Sequence, residues 1–135
     1  MTLRYLLDTN IVSHAMHEPA GSVGSRITVA GIDSVAISVV TLGELLFAYA
    51  RNPTPRLKER LDGFLSRTIV LPVDAQVAMR YAEVRTILQR CGQLIGQNDL
   101  WIAAHALALN VRLVTDNTGE FTRVEGLRIE NWVRP

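Results

Sequence analysis

The sequence has one cysteine, one lysine and three histidines among its 135 residues. Cys91 has no partner for a disulfide within the chain, so a reducing cytoplasm is the expected compartment. A lone cysteine also excludes a thiolate zinc cage, and three histidines leave little for a His-rich metal site. Long apolar runs are missing: none approaches the roughly 18 residues that span a bilayer, and no membrane association is expected. The opening stretch, Met-Thr-Leu-Arg-Tyr-Leu-Leu-Asp, is too short in its apolar part for a signal peptide and meets an acid too early. No internal repeat, low-complexity tract or Ser/Gly/Pro linker divides the chain. One domain over residues 1–135 is the expectation.

What is present is ordinary in bulk and uneven in detail. At 48% hydrophobic the chain is too apolar to be disordered. The formal net charge is +1, but thirteen of the fourteen basic residues are arginine, whose planar fork binds phosphate in bidentate fashion. Residues 51–100 carry eight basic residues against five acids, whereas residues 1–50 carry two against four. Charge alone neither requires nor excludes a nucleic-acid partner.

Short β-branched or apolar runs alternate with longer helical patterns. Strands are expected at Leu3–Leu7, Val35–Ser38, Ile69–Pro72 and Val111–Thr115, with a weak one near Leu127–Glu130. Helices are expected at Ile11–His17, from Gly21 to about Ala30, directly after Ser38 through Thr41 to Arg51, from Pro55 behind the cap Thr54 to about Arg67, at Ala75–Arg90 behind Asp74, and at Asp99–Leu109 behind Asn98. Asp116-Asn117-Thr118-Gly119 reads as a turn. Strands separated by helical crossovers imply a mostly parallel sheet flanked by helices, a three-layer α/β fold.

In such a sheet ligands bind beyond the carboxyl ends of the strands. Asp8 follows the first strand and Asp116 the fourth; Asp99 opens a helix, and Glu44 lies one turn into the helix after the second strand. Three of these have simpler explanations available: Asp8 as a helix cap, Asp99 as a complement to a helix dipole, Asp116 as a turn residue. Glu44 resists one, because Val40, Thr41, Phe47 and Ala48 place it on an apolar stripe. An ionised carboxylate there costs roughly several kcal/mol unless a cation or strong donors compensate. Asp99 is followed at helical spacing by Ile102, Ala103, Ala106 and Leu107. An all-carboxylate set without His or Cys points to Mg2+ or Mn2+ and to phosphoryl chemistry.

These residues also carry a family resemblance. Leu6-Leu7-Asp8-Thr9-Asn10, Ser38-Val39-Val40-Thr41-Leu42-Gly43-Glu44-Leu45, the block from Ile95 to Ala106 around Asn98-Asp99, and Val114-Thr115-Asp116-Asn117-Thr118-Gly119-Glu120-Phe121 resemble, in order, the four motifs of PIN-domain nucleases. The wording is most similar to the VapC toxins of VapBC toxin–antitoxin pairs, and the ending Val124–Trp132 continues the match. The resemblance implies a three-layer PIN-like fold and a Mg2+-dependent endoribonuclease, with Mn2+ as substitute and one or two ions. It implies a VapB-like antitoxin partner, a homodimer, and a hetero-oligomer that binds operator DNA through the antitoxin. Asp8, Glu44, Asp99 and Asp116 take the catalytic and metal-binding positions. Asn10, Ser38 and Thr115 take small polar positions that orient the carboxylates, and Glu120 is a possible accessory ligand. In-line hydrolysis of tRNA or ribosomal RNA, leaving a 5′-phosphate and a 3′-hydroxyl, is the implied reaction, and translation and growth would be inhibited.

Other features read as structural. His14 and His17 lack a third ligand nearby, His105 sits among apolar neighbours, and Cys91 lies at a helix end without a His–acid pair to activate it. Arg51, Arg56, Lys58, Arg60 and Arg67 form a basic stretch that is either a solvated face or a grip on RNA phosphates. Leu45, Leu46, Phe47 and Tyr49 offer apolar surface for an antitoxin helix or a second copy. The rival enzyme is another Mg2+-dependent nuclease or phosphatase; a haloacid-dehalogenase phosphatase needs Asp-x-Asp where this chain has Asp8-Thr9-Asn10. The rival without catalysis is a nucleic-acid-binding regulator or a phospho-acceptor receiver, and Lys58, the only lysine, is misplaced for the latter.

Overall fold

The structure is a computed structural model and describes residues 2–135. Five strands, β1 (Tyr5–Leu7), β2 (Val35–Ser38), β3 (Ile69–Leu71), β4 (Arg112–Val114) and β5 (Ile129–Glu130), form one sheet in the order β3-β2-β1-β4-β5. Every pairing is parallel. Seven helices accompany them: α1 (Thr9–His17), α2 (Ser22–Ala30), α3 (Val39–Arg51), α4 (Pro55–Leu65), α5 (Ala75–Arg90), α6 (Gln97–Leu109) and α7 (Thr118–Phe121), with a single 3-10 turn at Ile32–Ser34.

The period of two along the strands divides the core between the faces of the sheet. Leu6, Ala36 and Leu113 point to one face and pack with Val84 and Leu88 of α5 and Leu100, Ile102, Ala103 and Ala106 of α6. Leu7, Val35, Ile37 and Val114 point to the other and pack with Ile11, Val12, Ala15 and Met16 of α1, Val23 of α2 and Leu61 of α4. This is the three-layer α/β architecture that the alternation of elements implies. α6 is apolar almost all round, and its residues from Ile102 to Ala106 are buried without interruption. Asn110 ends it in the left-handed region at φ 55°, a conformation that asparagine tolerates better than most residues.

Several boundaries differ from the sequence expectation by a residue or two, α1 for one beginning at Thr9 rather than Ile11, and the differences in α6 and before α7 bear on the acids. α6 begins at Gln97 behind Gly96, so Asn98 lies inside the first turn and does not cap it. α3 begins at Val39, directly behind β2 as expected, where the Ser38 hydroxyl accepts the Val40 N–H at 3.1 Å. The expected turn at Asp116–Gly119 gives way at Thr118 to the short helix α7. Phe121 and Val124, both buried, anchor that segment in the core on the α6 side.

β1 is central, with β2 on one side and β4 on the other, so the chain order reverses there. The register Leu6–Ala36 and Leu7–Val114 brings the ends of these strands level. Asp8, Ser38 and Thr115, the first residues past or at those ends, therefore stand at one edge of the sheet. A switch point of this kind is where open α/β sheets bind ligands.

Candidate metal centre

Asp8 is 5% exposed and fixed at both oxygens. Oδ1 accepts the Thr9 N–H at 2.8 Å, which caps α1, and Oδ2 accepts the Thr115 hydroxyl at 2.8 Å. The capping and site roles considered for Asp8 are thus compatible. Thr115, fully buried, is itself held by the Asn117 N–H at 3.0 Å. Burial raises the Asp8 carboxyl above the usual range; the bonds from Thr115 and Thr9 offset this only in part, and the nearby Glu44 charge adds to the rise.

Glu44 reaches the same place from the second turn of α3, where the Thr9 hydroxyl donates to Oε1 at 2.6 Å. Asp99 enters from the first turn of α6. Its carboxyl is pushed up to about 7, first by burial, then by a hydrogen bond with Glu120 that only a protonated carboxyl can donate, and further by the charges of Asp8, Glu120 and Glu44. Glu120, in α7, is steadied by the Asn117 side-chain amide at 3.3 Å. Four carboxylates from four separate segments converge here, and among the described residues none of them makes a salt bridge.

Asp116 is not part of that gathering. Its Oδ1 accepts the Asn131 amide at 2.9 Å and Arg134 Nε at 3.2 Å, while Oδ2 accepts Arg134 Nη2 at 2.9 Å. Arg134 and Asn131 hold its carboxyl below the usual range, with His14 contributing. It opens onto a shallow polar cleft of about 440 Å³ lined also by Asn10, Ser13, His14, His17 and Glu18. Of the three small polar residues expected to orient carboxylates, only Thr115 touches one. Ser38 caps α3 and pairs with His105, and Asn10 is exposed at the polar cleft. The structure adds Thr9 and Glu120 as direct partners of Glu44 and Asp99.

The donor set suits a hard divalent cation: carboxylates and hydroxyls, with no thiol or imidazole among the four converging side chains. Among the described residues no three His, Cys, Asp or Glu side chains lie close enough together, as placed, to hold a metal ion, so Asp8, Glu44, Asp99 and Glu120 would have to draw inward around one. Mg2+ commonly binds one or two carboxylates and fills the remaining positions with water and substrate oxygens. The Asp99 and Asp8 carboxyls are raised first by burial and then by neighbouring carboxylate charge, and a bound cation would offset both.

A stability test follows from Asp99. Its carboxyl titrates near 3.8 when unfolded and at about 7 in the folded chain. Between those values the folded state binds the extra proton, so this group makes metal-free protein less stable as pH rises through the window. Buried His105, whose imidazole is lowered from 6.5, acts in the opposite sense below that value. Comparison with Asp99→Asn isolates the carboxyl. The wild-type Tm minus the variant Tm is expected to fall from about pH 5 to about pH 7.5 without divalent ions, and to recover with Mn2+. A difference independent of pH contradicts the crowded cluster.

Comparison with known proteins gives consistent matches. The PIN domain family model matches residues 5–127. Ribonuclease VapC2 of Rickettsia felis is 38% identical over 95% of this chain and 97% of its own length. The tRNA(fMet)-specific endonuclease VapC of Shigella flexneri is 38% identical over 96% of this chain and 98% of its own. Among solved structures, VapBC2 from Rickettsia felis bound to a DNA fragment from its promoter contains a chain that superposes with a TM-score of 0.89. That chain is 36% identical, and the match covers 96% of this chain and 99% of that one.

Proposed function

The chain belongs to the PIN-domain family, in its VapC branch, and on that premise we propose that it is a divalent-metal-dependent endoribonuclease, the toxin of a toxin–antitoxin pair. The observation that carries this reading is that Asp8, Glu44, Asp99 and Glu120 stand near one another at the switch point of the sheet, none of them in a salt bridge among the described residues. Residues 1–135 act as one PIN domain.

Asp8 and Asp99 would hold the principal ion, Mg2+ or Mn2+, and Glu44 and Glu120 would flank it or serve a second. The bound ion supplies an activated water and charge to offset the leaving oxygen of a phosphodiester. The chain's own residues provide the preorganisation. Thr115 and the Thr9 amide prevent the Asp8 carboxylate from rotating. The Thr9 hydroxyl aims Glu44, and Asn117 steadies Glu120. Groups held in this way need no rearrangement as charge develops on phosphorus, which is where such sites gain most of their rate. Asp116 lies outside the reacting centre and ties the carboxyl-terminal segment to β4 through Arg134 and Asn131.

The expected products are a 5′-phosphate and a 3′-hydroxyl. Purified chain with tRNA, ribosomal RNA and single-stranded DNA, followed by mapping of the ends, tests this. Cleavage of RNA should stop with EDTA and return with Mg2+ or Mn2+. Cleavage indifferent to chelation, or ends bearing a 2′,3′-cyclic phosphate, contradicts the mechanism, and preference for DNA contradicts the substrate. tRNA is the first candidate, in view of the name of the Shigella flexneri relative.

The proposed partner is a VapB-like antitoxin, with a homodimer of this chain and a hetero-oligomer that binds operator DNA through the antitoxin; the similar Rickettsia felis VapBC2, solved bound to a DNA fragment from its promoter, supports the antitoxin and DNA parts of this reading. Leu46 and Phe47 of α3, 48% and 64% exposed, are apolar surface available for such contacts. Among the described residues no helix is long and apolar enough to cross a membrane, and the cytoplasm is the proposed place of action.

A further inference from the structure

We infer that His105 is a positioning residue, which through Ser38 fixes the start of α3, and so Glu44, against the helix that carries Asp99. The inference rests on the carboxylate reading above and extends it to a buried pair that touches neither substrate nor ion. His105 Nδ1 lies 2.8 Å from Ser38 Oγ across 67 residues of sequence, with His105 1% and Ser38 0% exposed. Ser38 Oγ also accepts the Val40 N–H at 3.1 Å, the cap of α3. With that N–H received, the arrangement that leaves no hydroxyl proton without an acceptor has Ser38 donating to Nδ1, with the imidazole proton on Nε2. Burial keeps the ring neutral, as this requires.

The pair therefore joins three things at one point: the end of β2, the first turn of α3 and the middle of α6. Glu44 follows Ser38 by six residues on α3, and Asp99 precedes His105 by six on α6. The buried hydrogen bond ties α3 to α6 at the foot of the two helix segments that carry these carboxylates. An apolar residue would fill the space beside Ser38 as well as an imidazole does, at lower desolvation cost. What it would lack is the directional tie.

Three variants distinguish a tie from mere packing. His105→Leu keeps the volume and loses the bond; His105→Asn offers a carbonyl oxygen in place of Nδ1; Ser38→Ala removes the other partner. Amide exchange at Val40, measured by NMR on metal-free protein, should accelerate about tenfold or more in His105→Leu while the carboxyl-terminal half of α3 is unchanged. Mn2+ affinity by calorimetry and kcat for RNA should each fall about 10- to 100-fold, with KM little altered, the scale typical of groups that orient metal ligands. His105→Asn should recover most of each loss. His105→Leu combined with Ser38→Ala should be no worse than either single change. The inference is overturned if His105→Leu lowers Tm but leaves Val40 exchange unchanged, or leaves both Mn2+ affinity and kcat unchanged. If His105→Leu does not fold, His105→Asn and Ser38→Ala decide by the same readouts. A wild-type chain that binds Mn2+ and cuts no RNA defeats the ribonuclease reading, and exchange and affinity still judge the tie.

Discussion

Asp99→Asn is expected to reduce RNA cleavage by at least roughly a thousandfold while the chain stays folded and, metal-free at neutral pH, becomes more thermostable. Both halves come from one geometry. Asp99 sits among Asp8, Glu44 and Glu120, and its carboxyl is pushed up to about 7 because ionising it there is unfavourable. An amide occupies the same space without the charge, so the metal-free protein loses a source of repulsion. The same charge is what attracts a divalent ion, whose contribution to a phosphodiester transition state is several kcal/mol, about 1.4 kcal/mol for each tenfold in rate. Asp8→Asn should be equally inactive. Its effect on stability is smaller in either direction, because the Thr115 and Thr9 hydrogen bonds stabilise the Asp8 charge that burial opposes. Initial rates and thermal unfolding measure the two halves separately. Either variant retaining full activity would remove its carboxylate from the site.

The second large effect separates Glu120 from Asp116. Glu120→Gln should lower RNA cleavage and Mn2+ affinity about 10- to 100-fold, since Glu120 faces Asp99. Asp116→Asn should leave cleavage within about threefold of wild type, as expected for a change made away from the reacting groups. The contrast runs against the order the sequence suggests, in which Asp116 directly follows a strand and Glu120 is the accessory. Arg134 decides the matter physically. Its guanidinium engages both Asp116 oxygens at 3.2 and 2.9 Å, and Asn131 adds a third bond at 2.9 Å. Meanwhile α7 turns Glu120 back toward α6 over four residues. Equal losses in the two variants would place Asp116 in the site after all, and a larger loss in Asp116→Asn would reverse the assignment.

Much of this was readable from residues alone, and the remainder shows where such reading stops. The strands around Leu6, Ala36 and Leu113, and the crossovers between them, follow from apolar patterns that local sequence carries. Asp8, Glu44 and Asp99 could be singled out because a carboxylate at a strand end or on an apolar stripe conflicts with its surroundings, and conflict is visible in a single chain. Partnerships between distant residues are not. Thr9 donating to Glu44 spans 35 residues, His105 with Ser38 spans 67, and Arg134 with Asp116 spans 18. Nothing in the local pattern of Asp116-Asn117-Thr118-Gly119 distinguishes a plain turn from the start of a short helix. That distinction alone determines which acid faces Asp99. Asn10 and Ser38 illustrate the same limit from the other side. Both have the right chemistry for orienting a carboxylate, yet Asn10 faces the polar cleft and Ser38 is occupied with the cap of α3 and with His105.

The most direct test of the central claim is an anomalous difference map from crystals of this chain soaked in Mn2+ near neutral pH. The account predicts a peak bonded to Asp8 and Asp99, with Glu44 and Glu120 beside it or around a second peak, and no peak at Asp116. Anomalous density at Asp116 and His14 instead, or none between Asp8 and Asp99 in crystals that are saturated with the ion, would contradict it.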